Sequence, residues 1–133
     1  MGAAGLRIGT AWLLSEEHQA HMHSVNTEKL EAAESGDTVI TRSKSGETFR
    51  QVRSAWSQEW GQKPPIPLKM PYQGVLVGDL LGAIEEHDIE PLIHSMAGQS
   101  IGYFYEVKTA KITIDDLVKE ALEVLALQAS FLK

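Results

Sequence analysis

The stretch from Asp115 to Lys133 constrains this chain more than any other. At about 100° of helical rotation per residue, Asp116, Lys119, Glu120, Glu123, Ser130 and Lys133 fall in one arc. Leu117, Val118, Ala121, Leu122, Val124, Leu125, Ala129, Phe131 and Leu132 fill the opposite arc. The apolar arc takes roughly half the circumference, whereas a helix facing a single core needs a stripe only about 100° wide. That surplus predicts a second packing partner. Gln128 projects from the middle of the apolar arc and Leu127 from the polar side. A buried amide needs a partner, and between paired helices it can fix register. The expectation is a homodimer through this helix, with Leu117, Leu122, Leu125, Leu127, Gln128, Phe131 and Leu132 in the contact. The alternative is a helix deep in one monomer's core. Thr113 stands where an N-cap is expected, with Asp116 returning the hydrogen bond and Ile112 and Leu117 forming a hydrophobic staple. Asp115 and Asp116 complement the positive end of the helix dipole.

Composition narrows the class. A chain of 133 residues fits one domain spanning 1–133, and such a domain buries about two-thirds of its unfolded surface. With 43% hydrophobic and 23% charged residues it reads as globular. A net charge of −6 argues against a surface built for nucleic acid. The absence of cysteine excludes a disulfide framework, thiol chemistry and cysteine-rich zinc sites. No apolar run reaches the roughly 18 residues of a spanning helix. The N-terminus is unlike a signal peptide, because Arg7 interrupts its apolar stretch and its small residues precede that stretch. These features place the protein in the cytoplasm.

Along the chain, Leu6 to Leu14 reads as a short strand. Ser15 caps a helix opening with Glu16 and Glu17, whose thin stripe of Met22, Val25, Leu30 and Ala33 suggests two short helices, the second capped by Asn26 or Thr27. Ser35-Gly36-Asp37 stops it, and Thr38 to Arg42 is β-rich. Two continuations compete. Ser45-Gly46 can turn a hairpin into a strand over Thr48–Arg53. Alternatively Thr48 caps a helix, with Gln51 as its return partner, in which Phe49, Val52, Trp56 and Trp60 recur with helical spacing up to Gly61 and Pro64. The spacing favours the helix. Lys63 to Pro71 holds four of the five prolines and forms an extended connection pinned by Ile66, Leu68 and Met70. Gly74 to Val77 reads as a strand, Asp79 to His87 as a helix, and Pro91 as the first-turn proline of another. Ser100 to Lys108 alternates as a strand should. Together these predict α+β: a small mixed sheet of three or four short strands packed with four or five helices, ending in a long amphipathic helix.

Three constellations carry candidate chemistry. Arg42, Lys44, Arg50 and Arg53 stand against Glu47 alone. If residues 48–60 are helical, Ser43, Lys44, Ser45 and Gly46 form a loop at a helix N-terminus, where free backbone N–H groups and the dipole favour an anion. Thr48, Arg50 and Arg53 would add donors. The bland reading is a solvated turn and a charged face. His18, His21 and His23 suggest a metal, yet on a helix His23 lies about 200° from His21, so no metal is assigned. Asp79, Glu85, Glu86, His87, Asp88, Glu90 and His94 form an acidic and histidine-rich region where a carboxylate–histidine pair could do acid–base work. Asp88 beside His87 is the nominee, although neighbours on a helix do not face each other. Trp56 and Trp60 form one aromatic face, and a buried indole N–H there needs an acceptor.

The resulting expectation is a small dimeric binding protein that takes an anionic ligand or an acidic partner segment at Ser43, Lys44, Ser45, Gly46, Thr48, Arg50 and Arg53, without a cofactor. Two alternatives stand beside it. One is a metal-assisted hydrolase using His18, His21 and His23 or the His87 region. The other is a regulator contacting nucleic acid through residues 42–53.

Overall fold

The computed structural model describes residues 5–22, 24–62 and 66–131. It is α+β in broad terms, with short helices around a two-stranded antiparallel sheet and one long helix at the end. A 3-10 helix, Thr10–Leu14, leads into α1, Glu16–Gln19, and α2, Ser24–Glu31. The Ser15 hydroxyl accepts the His18 amide at 3.2 Å, as a cap should. A 3-10 turn, Ser35–Asp37, then enters β1, Thr38–Thr41.

The hairpin continuation is the one that forms. β2, Phe49–Val52, pairs antiparallel with β1 in the register Thr38 with Val52 and Thr41 with Phe49. Its other edge is covered as well: the Val52 amide donates to Ser95 O at 2.8 Å, the Ala97 amide to Arg50 O at 3.3 Å, and Gln51 bridges Met96. The expected helix over 48–60 is therefore half right. Trp56 and Trp60 do lie on α3, Ala55–Gln62, with ring centroids 5.6 Å apart. Phe49 and Val52, however, belong to the sheet. Backbone pairing to β1 and to residues 95–97 outweighs their helical spacing.

Other expectations are corrected in the same way. Leu6 to Leu14 is irregular backbone ending in the 3-10 helix, and Gly74 to Val77 lies inside α4, Tyr72–Glu86, so Asp79 is mid-helix. Ser100 to Lys108, predicted as a strand, holds the 3-10 helix Gln99–Tyr103. Among the described residues the sheet thus has two strands, not three or four. Ile66, Leu68 and Met70 do not pin the proline-rich connection; their side chains are exposed. Its backbone is what packs. Gly46 has φ +88°, and a Cβ there would stand 2.4 Å from Leu68 O and 2.5 Å from Met70 N. Pro91 does open a short turn, Glu90–Leu92. Residues 1–4 of the N-terminal stretch, with His23, residues 63–65, Leu132 and Lys133, lie outside the described residues.

Two apolar clusters hold the fold. Leu14, Leu30, Ala33, Val52, Ala97 and Ile101 form the first. Trp56, Val77, Leu81, Ile84 and Ile93 form the second, between α3, α4 and the segment after the Glu90–Leu92 turn. Full burial of side chains such as Ile84 and Ile93 contributes about 1.5–3 kcal/mol each. α5, Ala110–Ser130, begins one turn earlier than predicted. Thr109, not Thr113, caps it, accepting the Ile112 amide at 3.2 Å. Lys108 and Ala110 clasp the N-terminal segment: the Lys108 amide donates to Leu14 O at 3.1 Å and the Ala110 amide to Glu17 Oε2 at 2.9 Å. Beyond Leu117 the described residues of α5 are all exposed. Within this chain, α5 is therefore covered only near its start, around Thr113 and Leu117. No helix among the described residues is long and apolar enough to cross a membrane.

Candidate functional site

The residues expected to hold an anion are not brought to one point. Without a helix after Gly46, the N-terminal dipole proposed to attract the ligand is missing. Ser43 is fully buried, its carbonyl accepting from Gln73 Nε2 at 2.7 Å and its hydroxyl from Thr41 Oγ1 at 3.0 Å. Ser45 Oγ accepts the Glu47 amide, and Gly46 is wedged against residues 68–70. Thr48 is exposed in the loop before β2. The Arg50 guanidinium donates to Thr38 Oγ1 at 3.0 Å, whereas Arg53 is exposed and its amide is taken by Asp37 O at 2.8 Å. Lys44 turns the other way, into the protein.

Its destination is His94. Lys44 Nζ lies 2.5 Å from His94 Nε2, and His94 Nδ1 faces Glu85 Oε1 at 3.5 Å. Three elements converge to make this array: the hairpin loop supplies Lys44, the last turn of α4 supplies Glu85, and the segment after the Glu90–Leu92 turn supplies His94. The ammonium is a donor only, so the imidazole nitrogen it touches is an acceptor. The ring is then neutral, with its proton on Nδ1 toward Glu85. At 3.5 Å that second contact is within ion-pair range but long for a hydrogen bond, and Nδ1 has no closer partner. Burial holds His94 below the ordinary histidine range. Lys44 and, more weakly, Lys29 push in the same direction, and Glu85 opposes them. Lys29 reaches across from α2 to Ile93 O at 3.0 Å, and burial lowers its own proton affinity. Asn26 accepts from the Ser95 hydroxyl and completes the polar seam. Gln51 Oε1 and Trp56 Nε1 are also buried without a partner.

Glu85 and His94, nine positions apart in the chain, make a carboxylate–histidine contact at 3.5 Å. His87 ends α4 as its exposed C-cap. Lys44 was the partner that local spacing could not reveal, since it lies 50 positions away. One usable hint was His94 itself, a single ionisable residue in the apolar run Leu92 to Ala97. His18 and His21 join no metal-binding cluster among the described residues, and His23 lies outside them.

Space for a ligand lies elsewhere. A cleft of about 400 Å³ is lined by Leu14, Tyr103, Tyr105, Thr113, Asp116 and Leu117, with Lys108 bridging Glu106 at 2.8 Å and Asp116 at 3.3 Å. A more open cleft of about 590 Å³ has Val25, Ala33 and Val52 as its floor and Lys29, Arg53 and Glu90 on its rim. Two glycines are set by close approach: a Cβ on Gly98 would meet Thr10 Oγ1 at 2.9 Å, and one on Gly102 would meet Ser35 Oγ at 2.6 Å.

Comparison with known proteins decides what kind of chain this is. The sequence pattern of the nitronate monooxygenase family matches residues 1–121. The chain belongs to the nitronate monooxygenase family. A Mycobacterium tuberculosis protein named as a monooxygenase is 35% identical over 132 residues, covering 94% of this chain and 35% of its own length. A Bacillus subtilis protein named as a nitronate monooxygenase is 27% identical, with coverage of 93% and 35%. The structure of FabK from Thermotoga maritima superposes with a TM-score of 0.69 at 32% identity, over 92% of this chain and 38% of that one. The chain therefore spans about a third of the length of the relatives it matches. Membership overturns the small anion-binding protein expected from the sequence, together with the metal-assisted hydrolase and the nucleic-acid regulator: the relatives are oxidoreductases. The expectation failed because it took a charged hairpin loop for a helix N-terminus.

Proposed function

We propose that this chain serves as part of an oxidoreductase that oxidises a nitronate with dioxygen. The match of residues 1–121 to the nitronate monooxygenase family carries this reading. The names of the curated relatives favour it over a FabK-like reaction. The surface supports a role as one part of a larger catalytic body. Val75, Leu76 and Leu80 on α4 are exposed, as are Val118, Leu122, Val124, Leu125, Leu127 and Phe131 on α5. Exposed apolar side chains in this number favour an interface. These faces are the contact surfaces for the body that completes the active site, and strands of that body extend the small sheet toward the three or four expected. A second copy of this chain, meeting α5 through Leu117, Leu122, Leu125, Leu127, Gln128 and Phe131, is the other occupant in view. Composition without cysteine fits a cytoplasmic protein.

The test is a chimera in which this chain replaces the matching third of the Bacillus subtilis relative, assayed for oxygen uptake on addition of an alkyl nitronate. The proposal expects nitronate-dependent uptake. A chimera that folds and takes up no oxygen would contradict it.

A further inference from the structure

A neutral imidazole and an ammonium can share a hydrogen bond; an imidazolium and an ammonium cannot, since neither has a lone pair to offer. The 2.5 Å contact from Lys44 Nζ to His94 Nε2 therefore exists only in one charge state of the ring. His94 is 7% exposed, so water cannot substitute for a lost partner without movement. The charged groups facing the ring come from each element around it. Lys44 comes from the hairpin loop, Glu85 from α4 and Lys29 from α2; Glu90, on the turn before His94, acts on Lys29. Next to His94, Ser95 is held by neutral groups, its hydroxyl donating to Asn26 and its carbonyl accepting the Val52 amide. Two ammonium groups and burial oppose a second ring proton, and one half-exposed carboxylate favours it.

We propose that Lys44, His94 and Glu85 form an acid-released latch, closed between the hairpin loop and α4 while His94 is neutral and opened by departure of Lys44 when the ring is protonated. The loop backbone stays in place on opening. Ser43 O is held by Gln73 Nε2 at 2.7 Å, and Gly46 is wedged against residues 68–70. The long Lys44 side chain is the part free to swing. Protonation turns Glu85 into the ion-pair partner of an imidazolium and opens a path from solvent to Nε2. The latch is built from this chain's own residues and does not depend on the reaction of the family.

The test is a pH titration of the full chain, labelled with 15N on its histidine rings and followed by NMR, His94 being identified by the signal lost in His94→Gln. The latch predicts a His94 midpoint below the ordinary value of about 6.5. The Lys44 side-chain signals and the Ser43 to Gly46 amides should change with that same midpoint. Lys44→Met should raise it and Glu85→Gln should lower it. A midpoint at or above the ordinary value, loop signals indifferent to it, or no change in Lys44→Met would overturn the proposal. Should Lys44→Met fail to fold, the wild-type titration decides alone, because an isolated histidine would leave the Lys44 side-chain signals unchanged at its midpoint.

Discussion

Replacing Gly46 by alanine probes the point where the hairpin meets the proline-rich connection. Gly46 has φ +88°, and an added Cβ would lie 2.4 Å from Leu68 O, 2.5 Å from Met70 N and 2.7 Å from Lys69 C. Holding an L residue in the left-handed region costs about 1–2 kcal/mol. All three clashing atoms are backbone, so relief requires the loop and residues 68–70 to separate. Gln73 ties both, donating to Ser43 O at 2.7 Å and accepting the Leu68 amide at 2.9 Å. Weakening these two hydrogen bonds, one buried and one partly buried, costs about 1 kcal/mol each. The expected destabilisation is about 2–4 kcal/mol, a drop of roughly 10 °C in Tm for a chain of this size. Thermal melts followed by far-ultraviolet circular dichroism measure it, with Gly36→Ala as the control. Nothing lies within 4 Å of a Cβ at Gly36, and that variant should stay within about 0.5 kcal/mol of wild type. A Gly46→Ala melt within about 1 kcal/mol of wild type would refute the reasoning, since both strain and close approach would then be absent.

Ile84 is 1% exposed between Trp56 and Ile93; Ile84→Ala should cost about 2–5 kcal/mol in urea unfolding, and a smaller loss would show that the second cluster collapses around the gap. Gln51 is fully buried, with Oε1 unpartnered and Nε2 only 3.4 Å from Ser54 Oγ. Gln51→Met should therefore raise stability by about 1 kcal/mol, and a marked loss would mean that the amide has a partner. Because folded His94 holds a proton less tightly than the unfolded histidine, the unfolded state binds more protons as pH falls. Stability should decline below about pH 6.5 and level off once the folded ring is itself protonated. Urea midpoints at stepped pH should show this decline in wild type and a flatter profile in His94→Gln; parallel profiles would discount His94.

Much of the local architecture was legible in the sequence. Ser15 announced α1, Pro91 opened its turn, and the apolar spacing of residues 115–131 required a long helix. What failed was whatever depended on partners far along the chain. Phe49 and Val52 fit a helix by spacing, but β1 and the backbone of residues 95–97 claimed them as strand. Ile101 to Val107 alternates like a strand but pairs with no strand among the described residues. Gly102 is instead pressed against Ser35, and Tyr103 and Tyr105 stay exposed. The candidate site was half visible. Lys44, Glu85 and His94 were all singled out, yet Lys44 in a different group from the other two, because alternation and helical periodicity carry no information about a contact across 50 positions. The surplus of apolar surface on α5 was legible, and the described residues beyond Leu117 are exposed. The kind of protein around it was not written in residue spacing.

We propose above that this chain is part of a larger oxidoreductase whose α4 and α5 faces meet the remainder. Amide hydrogen exchange, compared between the chain alone and the Bacillus subtilis chimera, tests it most directly. The account predicts fast exchange through residues 118–131 in the isolated chain at low concentration and strong protection of the same amides in the chimera. Equal exchange rates in the two, with the rest of the chain folded in both, would contradict it.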